Sequence, residues 1–209
     1  MFDFYESVSA PVNPVQRKQF VLYHDLLAHW ARKQNLISRN DISHIVDRHF
    51  IPSLFLVANL PTGTIGPVID IGSGGGFPGI VLKIMRPDLS VTLLDSSRKK
   101  AIFLREATEA IGLDSPVICE RSEVFQETKK DIYGLAVSRA VARLDVLWRW
   151  VADMLLPGAK YCVLKGGDCT DEVIEVKKKD IAVRMCLPDQ NWLNYGSYMD
   201  SKFMVIMEK

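Results

Sequence analysis

The segment Val68-Ile69-Asp70-Ile71-Gly72-Ser73-Gly74-Gly75-Gly76-Phe77-Pro78-Gly79 constrains this chain more than any other. A short, mostly apolar run enters glycines at 72, 74 and 76, and an amphipathic stretch follows from Pro78. Glycine carries no Cβ, so the backbone there turns tightly and lets a ligand come close. The helix start beyond it offers N–H groups that have no intrahelical acceptor. A strand that ends in such a loop and feeds a helix is a cofactor cradle, because open α/β sheets bind ligands outside the carboxyl ends of their strands.

The chain downstream repeats this grammar. Residues 91–94, 117–119, 133–137 and 161–164 are apolar runs too short for helices and rich in residues that fill buried strands. Amphipathic stretches over 79–86, 98–111, 144–155 and 171–179 separate them, and strand alternating with helix predicts a parallel sheet. Two closing runs, 181–187 and 203–207, are joined by a loop without an evident helix, which predicts a carboxyl-terminal antiparallel hairpin and a mostly parallel seven-stranded sheet. Before residue 60 the spacing is helical. Phe20, Tyr23, Leu27 and Trp30 form one stripe, broadened by Leu22 and Leu26, behind the cap and first-turn pair Asn13-Pro14. A second stripe, Ile42, Ile45, Val46 and His49, begins near Asp41 and is bent or restarted by Pro52. The expected organisation is a helical extension over 1–60 and an α/β core over 61–209.

Composition narrows the function classes. A chain of 209 residues accommodates one core with an extension. Its formal net charge is +1, from 26 Lys+Arg and 25 Asp+Glu, so a polycationic mode of nucleic-acid binding is excluded while a local basic cleft is not. Cys119, Cys162, Cys169 and Cys186 lie far apart with mostly apolar neighbours, which supports neither a disulfide framework nor a zinc cluster; they read as reduced core thiols. The first residues carry Asp3 and Glu6 and lack the pattern of a signal peptide, and no apolar run approaches membrane-spanning length. A cytoplasmic protein with no membrane association is expected.

Two cofactors compete for the loop. Gly74, Gly76 and Gly79 satisfy G-x-G-x-x-G, and Asp95 stands where an acid would bind the ribose of NAD, so an NAD-linked oxidoreductase is one reading. Three features favour S-adenosyl-L-methionine. Asp70 precedes Gly72 by two residues, giving D-x-G-x-G-x-G; Asp95 ends its strand in Leu93-Leu94-Asp95; and the terminal hairpin is not a second mononucleotide half. Negative charge near Asp70 opposes a pyrophosphate and suits a cationic aminoacyl end. These features predict a class I, S-adenosylmethionine-dependent methyltransferase fold, Rossmann-like. A non-catalytic RNA-binding module retaining that fold is a further alternative.

At this point the chain resembles the RsmG family, also called glucose-inhibited division protein B. The resemblance rests on Gln34-Asn35-Leu36, Arg48-His49, the loop from Gly72 to Gly79, Leu94-Asp95-Ser96 with Lys100 and Phe103-Leu104-Arg105, then Arg121-Ser122-Glu123, Ser138-Arg139-Ala140 and Leu164-Lys165-Gly166. Their order and spacing run through most of the chain. Pro52 departs from the pattern, standing where the family commonly carries an acid, and Ile37-Ser38 replaces its threonine region. The resemblance implies methylation of N7 of a guanine in the 16S rRNA of the small ribosomal subunit; a monomer with no obligate protein partner is expected. It implies that Gly72 and Phe77 contact the methionine and adenosine parts of the cofactor, Asp95 its ribose, and Ser122 and Glu123 its adenine; the cradle reading of the loop adds Gly74 and Gly76 to the cofactor-binding residues. Arg139, at the strand end from which this fold usually meets the substrate, is placed by the family against the cofactor as well, and Arg48 and His49 read as part of an RNA-facing or cofactor-covering extension.

Guanine N7 presents an in-plane lone pair and no proton, so transfer from a sulfonium requires alignment and desolvation but no general base. The end of the fourth strand, Ser138-Arg139-Ala140, agrees: it is neither an Asn-Pro-Pro-Tyr loop nor a Pro-Cys nucleophile, so a base-free reaction at N7 or at a ribose fits better. Arg139 is the expected catalytic positioner, donating to guanine O6. Lys100 and Lys165 are candidate phosphate contacts. The four histidines, His24, His29, His44 and His49, have no accompanying ligand pattern, and no metal is expected. Lys177-Lys178-Lys179 reads as a solvated helix end, and Trp148 and Trp150 as packing residues.

Overall fold

A computed structural model describes residues 11–63, 66–139, 141–194 and 198–209. Helix α1 (Pro14–Ala31) starts in a full capping box: the Asn13 side chain accepts the Gln16 N–H, and the Gln16 side chain accepts the Asn13 N–H. The same Gln16 amide donates to the carbonyl of Ile84 and so ties α1 to the core. The second helical stripe is three pieces, a 3-10 turn (Arg39–His44), a π-turn (Val46–Phe50) and helix α2 (Ile51–Ala58). Pro52 follows directly on the π-turn, with Phe50 and Ile51 both in right-handed helical conformation, so the chain changes from π to α winding there without a break in the helix.

From there strands and helices alternate: β1 (Val68–Ile71), α3 (Gly79–Met85), β2 (Val91–Leu94), α4 (Arg98–Ala110), β3 (Val117–Ile118), α5 (Ser122–Phe125), β4 (Tyr133–Arg139), α6 (Leu144–Val151), β5 (Leu155–Gly166) and α7 (Thr170–Lys177). Strand β6 (Ala182–Cys186), helix α8 (Gln190–Leu193) and strand β7 (Lys202–Glu208) close the chain. The seven strands form one sheet in the order β3-β2-β1-β4-β5-β7-β6. Pairing is parallel from β3 to β5 and antiparallel for β7 against β5 and β6. The order reverses between β1 and β4, which puts a crevice beyond their carboxyl ends.

Both faces are covered, as a parallel sheet requires. On one face Phe20, Tyr23, Leu27, Phe50 and Leu54 of the amino-terminal helices share an apolar cluster with Val81, Leu93, Leu104, Leu135 and Cys162. On the other, Leu144, Leu147, Val151 and Val176 pack against Ile69, Ile71, Ala136, Val163 and Val205. Three expectations are corrected. The connection between β6 and β7 is not helix-free, because Asp189 caps the single turn of α8 and Trp192 packs edge-on against Phe55. Strand β5 begins six residues earlier than the apolar run at 161, with a register irregularity against Tyr133 and Leu135. Cys119 is exposed, and only Cys162 and Cys169 are buried thiols. Among the described residues no helix is long and apolar enough to cross a membrane.

Candidate active site

A cleft of about 450 Å³ opens beyond the carboxyl ends of β1, β2 and β4. That is within the ~300–1,000 Å³ usual for small-molecule sites. The glycine loop makes one wall. Gly72, at φ +69°, lies so close to the next element that a Cβ would stand 2.8 Å from the Val141 side chain. Gly74, at φ +58°, donates its N–H to Asp95 Oδ2 at 2.9 Å. Gly76 turns inward instead: at φ +95° a Cβ on it would lie 2.5 Å from both Ile80 and the Tyr23 hydroxyl. That hydroxyl donates to the carbonyl of Gly75, so α1 holds the loop from behind. Phe77 is buried under the cleft, with Tyr23, His49 and Phe50 around its ring.

Asp95 is buried and takes one N–H on each oxygen, from Gly74 on Oδ2 and from Ser97 on Oδ1 at 2.8 Å. A carboxylate has about four acceptor directions, so two remain for hydroxyl donors. Lys100 stands 3.9 Å from it. Ser122 and Glu123, at the start of α5, line the far side of the cleft, and Leu36 closes it from the amino-terminal extension. Trp148 and Trp150 pack against the second apolar cluster, as their spacing predicts, and Trp150 in addition lines the cleft.

Asp70 does not face the cleft. It is fully buried, and its Oδ2 accepts the Gly79 N–H at 3.0 Å, while Oδ1 has no partner. A Cβ at Gly79 would lie 2.5 Å from Asp70 Oδ2 and from Leu93, which is why α3 begins with glycine. The expectation that this charge faces a ligand is therefore corrected. The carboxylate occupies the helix N–H that a dinucleotide site would turn toward pyrophosphate. Burial, with some help from Asp95, pushes its pKa up to about 7 against the lowering influence of the Gly79 N–H and Arg139.

Arg139 ends β4 and lines the cleft. Its guanidinium lies 5.1 Å from the centre of the Phe77 ring, donates to the carbonyl of Arg48 at 3.2 Å and to His49 Nδ1 at 2.6 Å. Guanidinium only donates, so Nδ1 is the acceptor and the imidazole proton sits on Nε2, 3.2 Å from Asp41 Oδ2. Burial, reinforced by the Arg139 charge, lowers the His49 pKa to about 3, so the ring is neutral. Asp41 also binds Arg48 at 2.6 Å, and its own value is held down by Arg48 and His49 against its partial burial.

A second cavity of about 150 Å³ shares Arg139 with the cleft and is walled by Asp41, Arg48, His49, Lys165, Tyr198 and Lys202, with Pro52 also on its lining. Lys202 lies 4.3 Å from the centre of the Tyr198 ring. Lys165 does not present a free ammonium: it donates to both Glu172 oxygens at 3.0 and 2.8 Å and to the Ala142 carbonyl at 3.3 Å. The structure thus brings together Gly72, Gly74, Phe77, Asp95, Lys100, Ser122, Glu123 and Arg139, sets Arg48 and His49 behind Arg139, and keeps Gly76 and Lys165 for internal contacts. Tyr23, Asp41, Leu36 and Tyr198 were not legible as site residues, because each reaches the site through tertiary packing.

Comparison with known proteins places this geometry. The family model GidB, rRNA small subunit methyltransferase G, matches residues 16–189. The ribosomal RNA small subunit methyltransferase G of Clostridium novyi (strain NT) is 36% identical over 181 residues, 85% of this chain and 74% of that protein. Its counterpart from Bacillus subtilis (strain 168) is 32% identical over 170 residues, 80% and 71% of the two chains. Among solved structures, the plantazolicin methyltransferase BpumL in complex with SAH is similar with a TM-score of 0.61 over 94% of this chain and 99% of that one, at 13% identity, a likeness of fold. The fold is that of class I S-adenosylmethionine-dependent methyltransferases. The matched span runs from the first turn of α1 through β6 and includes every wall of the cleft, and the chain belongs to the GidB family.

Proposed function

We propose that this protein transfers a methyl group from S-adenosyl-L-methionine to N7 of a guanine in the 16S rRNA of the small ribosomal subunit, acting as a monomer. The observation that carries the reading is the cleft itself, where the glycine loop, Asp95, Ser122-Glu123 and Arg139 converge in a chain of this family. When bound, the cofactor supplies a methyl group on a sulfonium. Gly72 and Gly74 give its methionyl and ribosyl parts close approach to the backbone, the two free acceptor directions of Asp95 take ribose hydroxyls, and Ser122 and Glu123 hold the adenine. Residues 1–60 serve as a cap over the core at 61–209, closing the cleft with Leu36 and supporting Arg139 through Arg48 and His49.

The acceptor side calls for no proton transfer. Arg139 is cationic and His49 is neutral with its Nδ1 lone pair engaged, so neither is a base available to a substrate. That suits an acceptor which already carries its lone pair. The planar guanidinium orients the guanine through O6 and leaves N7 directed at the methyl group. An NAD-linked oxidoreductase fits the loop less well, because the Gly79 N–H is bonded to Asp70.

Calorimetry separates these readings. S-adenosylhomocysteine is expected to bind and NAD to leave no heat, and the reverse result removes the methyltransferase reading. Arg139→Ala is expected to lose single-turnover methylation of bound substrate even at saturating cofactor; wild-type transfer would contradict the role given to Arg139.

A further inference from the structure

A pocket of about 310 Å³ lies between the end of α1 and the start of α4. Of the eight residues lining it, four are the cations Lys33, Arg39, Lys99 and Lys100, and none is an acid. In a chain of net charge +1 this is a local concentration and not a sample of the general surface. Arg39 and Lys99 are exposed, and among the described residues neither has a carboxylate within 4.0 Å. The ammonium of Lys33 binds the His29 ring at 2.9 Å, and Lys100 stands at the long distance of 3.9 Å from Asp95.

The position of the cations is unusual for a helix. Helix α4 opens with Arg98, Lys99 and Lys100, has no acid in its first turn and has no side-chain cap from Ser97. Three positive charges therefore stand at the positive end of the helix dipole, beside N–H groups that lack intrahelical acceptors. Asp95 meets the Ser97 N–H there and stands 3.9 Å from Lys100, but among the described residues no carboxylate lies within 4.0 Å of Arg98 or Lys99, so the arrangement is one that an anion would complete. The pocket also borders the cleft: Leu36 and Lys100 line both, and together they form the partition between them. A strand that delivers a base into the cleft carries its flanking phosphates along that rim.

We infer that this pocket receives a backbone phosphate of the acceptor RNA, with Arg39 and Lys99 as its principal cations and Lys33 and Lys100 completing it. The inference rests on the rRNA-methyltransferase reading above and extends RNA recognition to the side of the cleft away from Arg139.

The test compares the full chain, the exposed pair variant Arg39→Glu/Lys99→Glu, and a control with the same charge change, Lys177→Glu/Lys179→Glu. Binding of deproteinised 16S rRNA is measured between roughly 50 and 200 mM salt, where each phosphate contact contributes about 0.7–0.9 to the slope of log K against log salt. The pocket variant is expected to lose about one unit of slope and to raise the KM for small subunits more than it lowers kcat, while S-adenosylhomocysteine affinity stays at the wild-type value and the control keeps the wild-type slope. A wild-type slope in the pocket variant, or an equal loss in the control, overturns the inference. Calorimetry with inorganic phosphate adds one arm. If phosphate binding is lost in the pocket variant while the RNA slopes are identical, the site takes a free anion and the RNA assignment fails. Absence of S-adenosylhomocysteine binding in the wild type would sink the methyltransferase reading and leave the slope comparison standing on its own.

Discussion

The guanidinium of Arg139 donates to Nδ1 of a neutral His49 at 2.6 Å, and the His49 ring in turn places its Nε2 proton against Asp41. This chain of contacts fixes the one cation shared by the cleft and the smaller cavity, and it joins the amino-terminal extension to the end of β4. His49→Ala removes the acceptor and is expected to lower methyl transfer on the order of 100-fold, the scale of a misaligned reacting group. His49→Gln, which retains an acceptor, is expected to recover most of that rate. Single-turnover kinetics with separately measured S-adenosylhomocysteine affinity distinguishes a loss of alignment from a loss of cofactor.

The same residue sets an acid limb in stability. Its folded pKa of about 3 lies below the ordinary 6.5, so the unfolded chain takes up the proton first as pH falls. The stabilisation is complete above about 6.5 and is lost progressively toward 3, at a slope of at most about 1.4 kcal/mol per pH unit. Urea titrations from pH 7 to 4 are expected to show this limb in the wild type and a shallower one in His49→Gln; equal limbs would contradict the assignment.

Asp70 acts in the opposite direction. Burial raises its folded pKa to about 7 from 3.8, so the native state holds the proton more tightly, and stability present below about 4 is lost as pH rises toward 7. Asp70→Asn removes the titrating charge and retains the oxygen that accepts the Gly79 N–H. The stability difference between variant and wild type is expected to shift in favour of the variant between pH 4 and 7, by at most about 1.4 kcal/mol per unit, as read by denaturant titration.

Asp95→Ala is expected to weaken S-adenosylhomocysteine binding by about 10- to 100-fold, the range for losing a charged hydrogen-bond acceptor. The loop bonds to Gly74 and Ser97 are lost with it, so a modest fall in melting temperature accompanies the effect. Calorimetric affinity equal to the wild type would remove Asp95 from the cofactor site.

Gly76→Ala tests the rear of the loop. A Cβ there meets the Tyr23 hydroxyl and Ile80 at 2.5 Å in a left-handed backbone conformation, and overpacking plus strain of this kind costs about 1–3 kcal/mol each. The expected loss appears in denaturant titration, and unchanged stability would show that the loop is not clamped by α1.

How much of this was legible in the sequence follows from the range of each interaction. The strand order, the four longer core helices, the antiparallel pairing of the last two strands and the cap at Asn13 rest on local periodicity and local hydrogen bonding, and the structure has them, with β5 starting six residues early and the short turns α5 and α8 added. Asp70 and Lys165 show the limit: both were read from their chemistry, yet α3 packed directly on Asp70 and the partner Glu172 supplied by α7 decide where their charges point. Trp150 keeps its helical spacing and still lines the cleft, because a stripe of periodicity names a face and not what that face meets.

The central claim is tested most directly by supplying the protein and methyl-labelled S-adenosyl-L-methionine to small ribosomal subunits from a strain lacking it, then mapping the labelled base by borohydride and aniline cleavage. The account predicts stoichiometric label at a single guanine of 16S rRNA with the scission that marks N7 methylation. Label on another atom or base, or no transfer from a protein that binds S-adenosylhomocysteine, would contradict it.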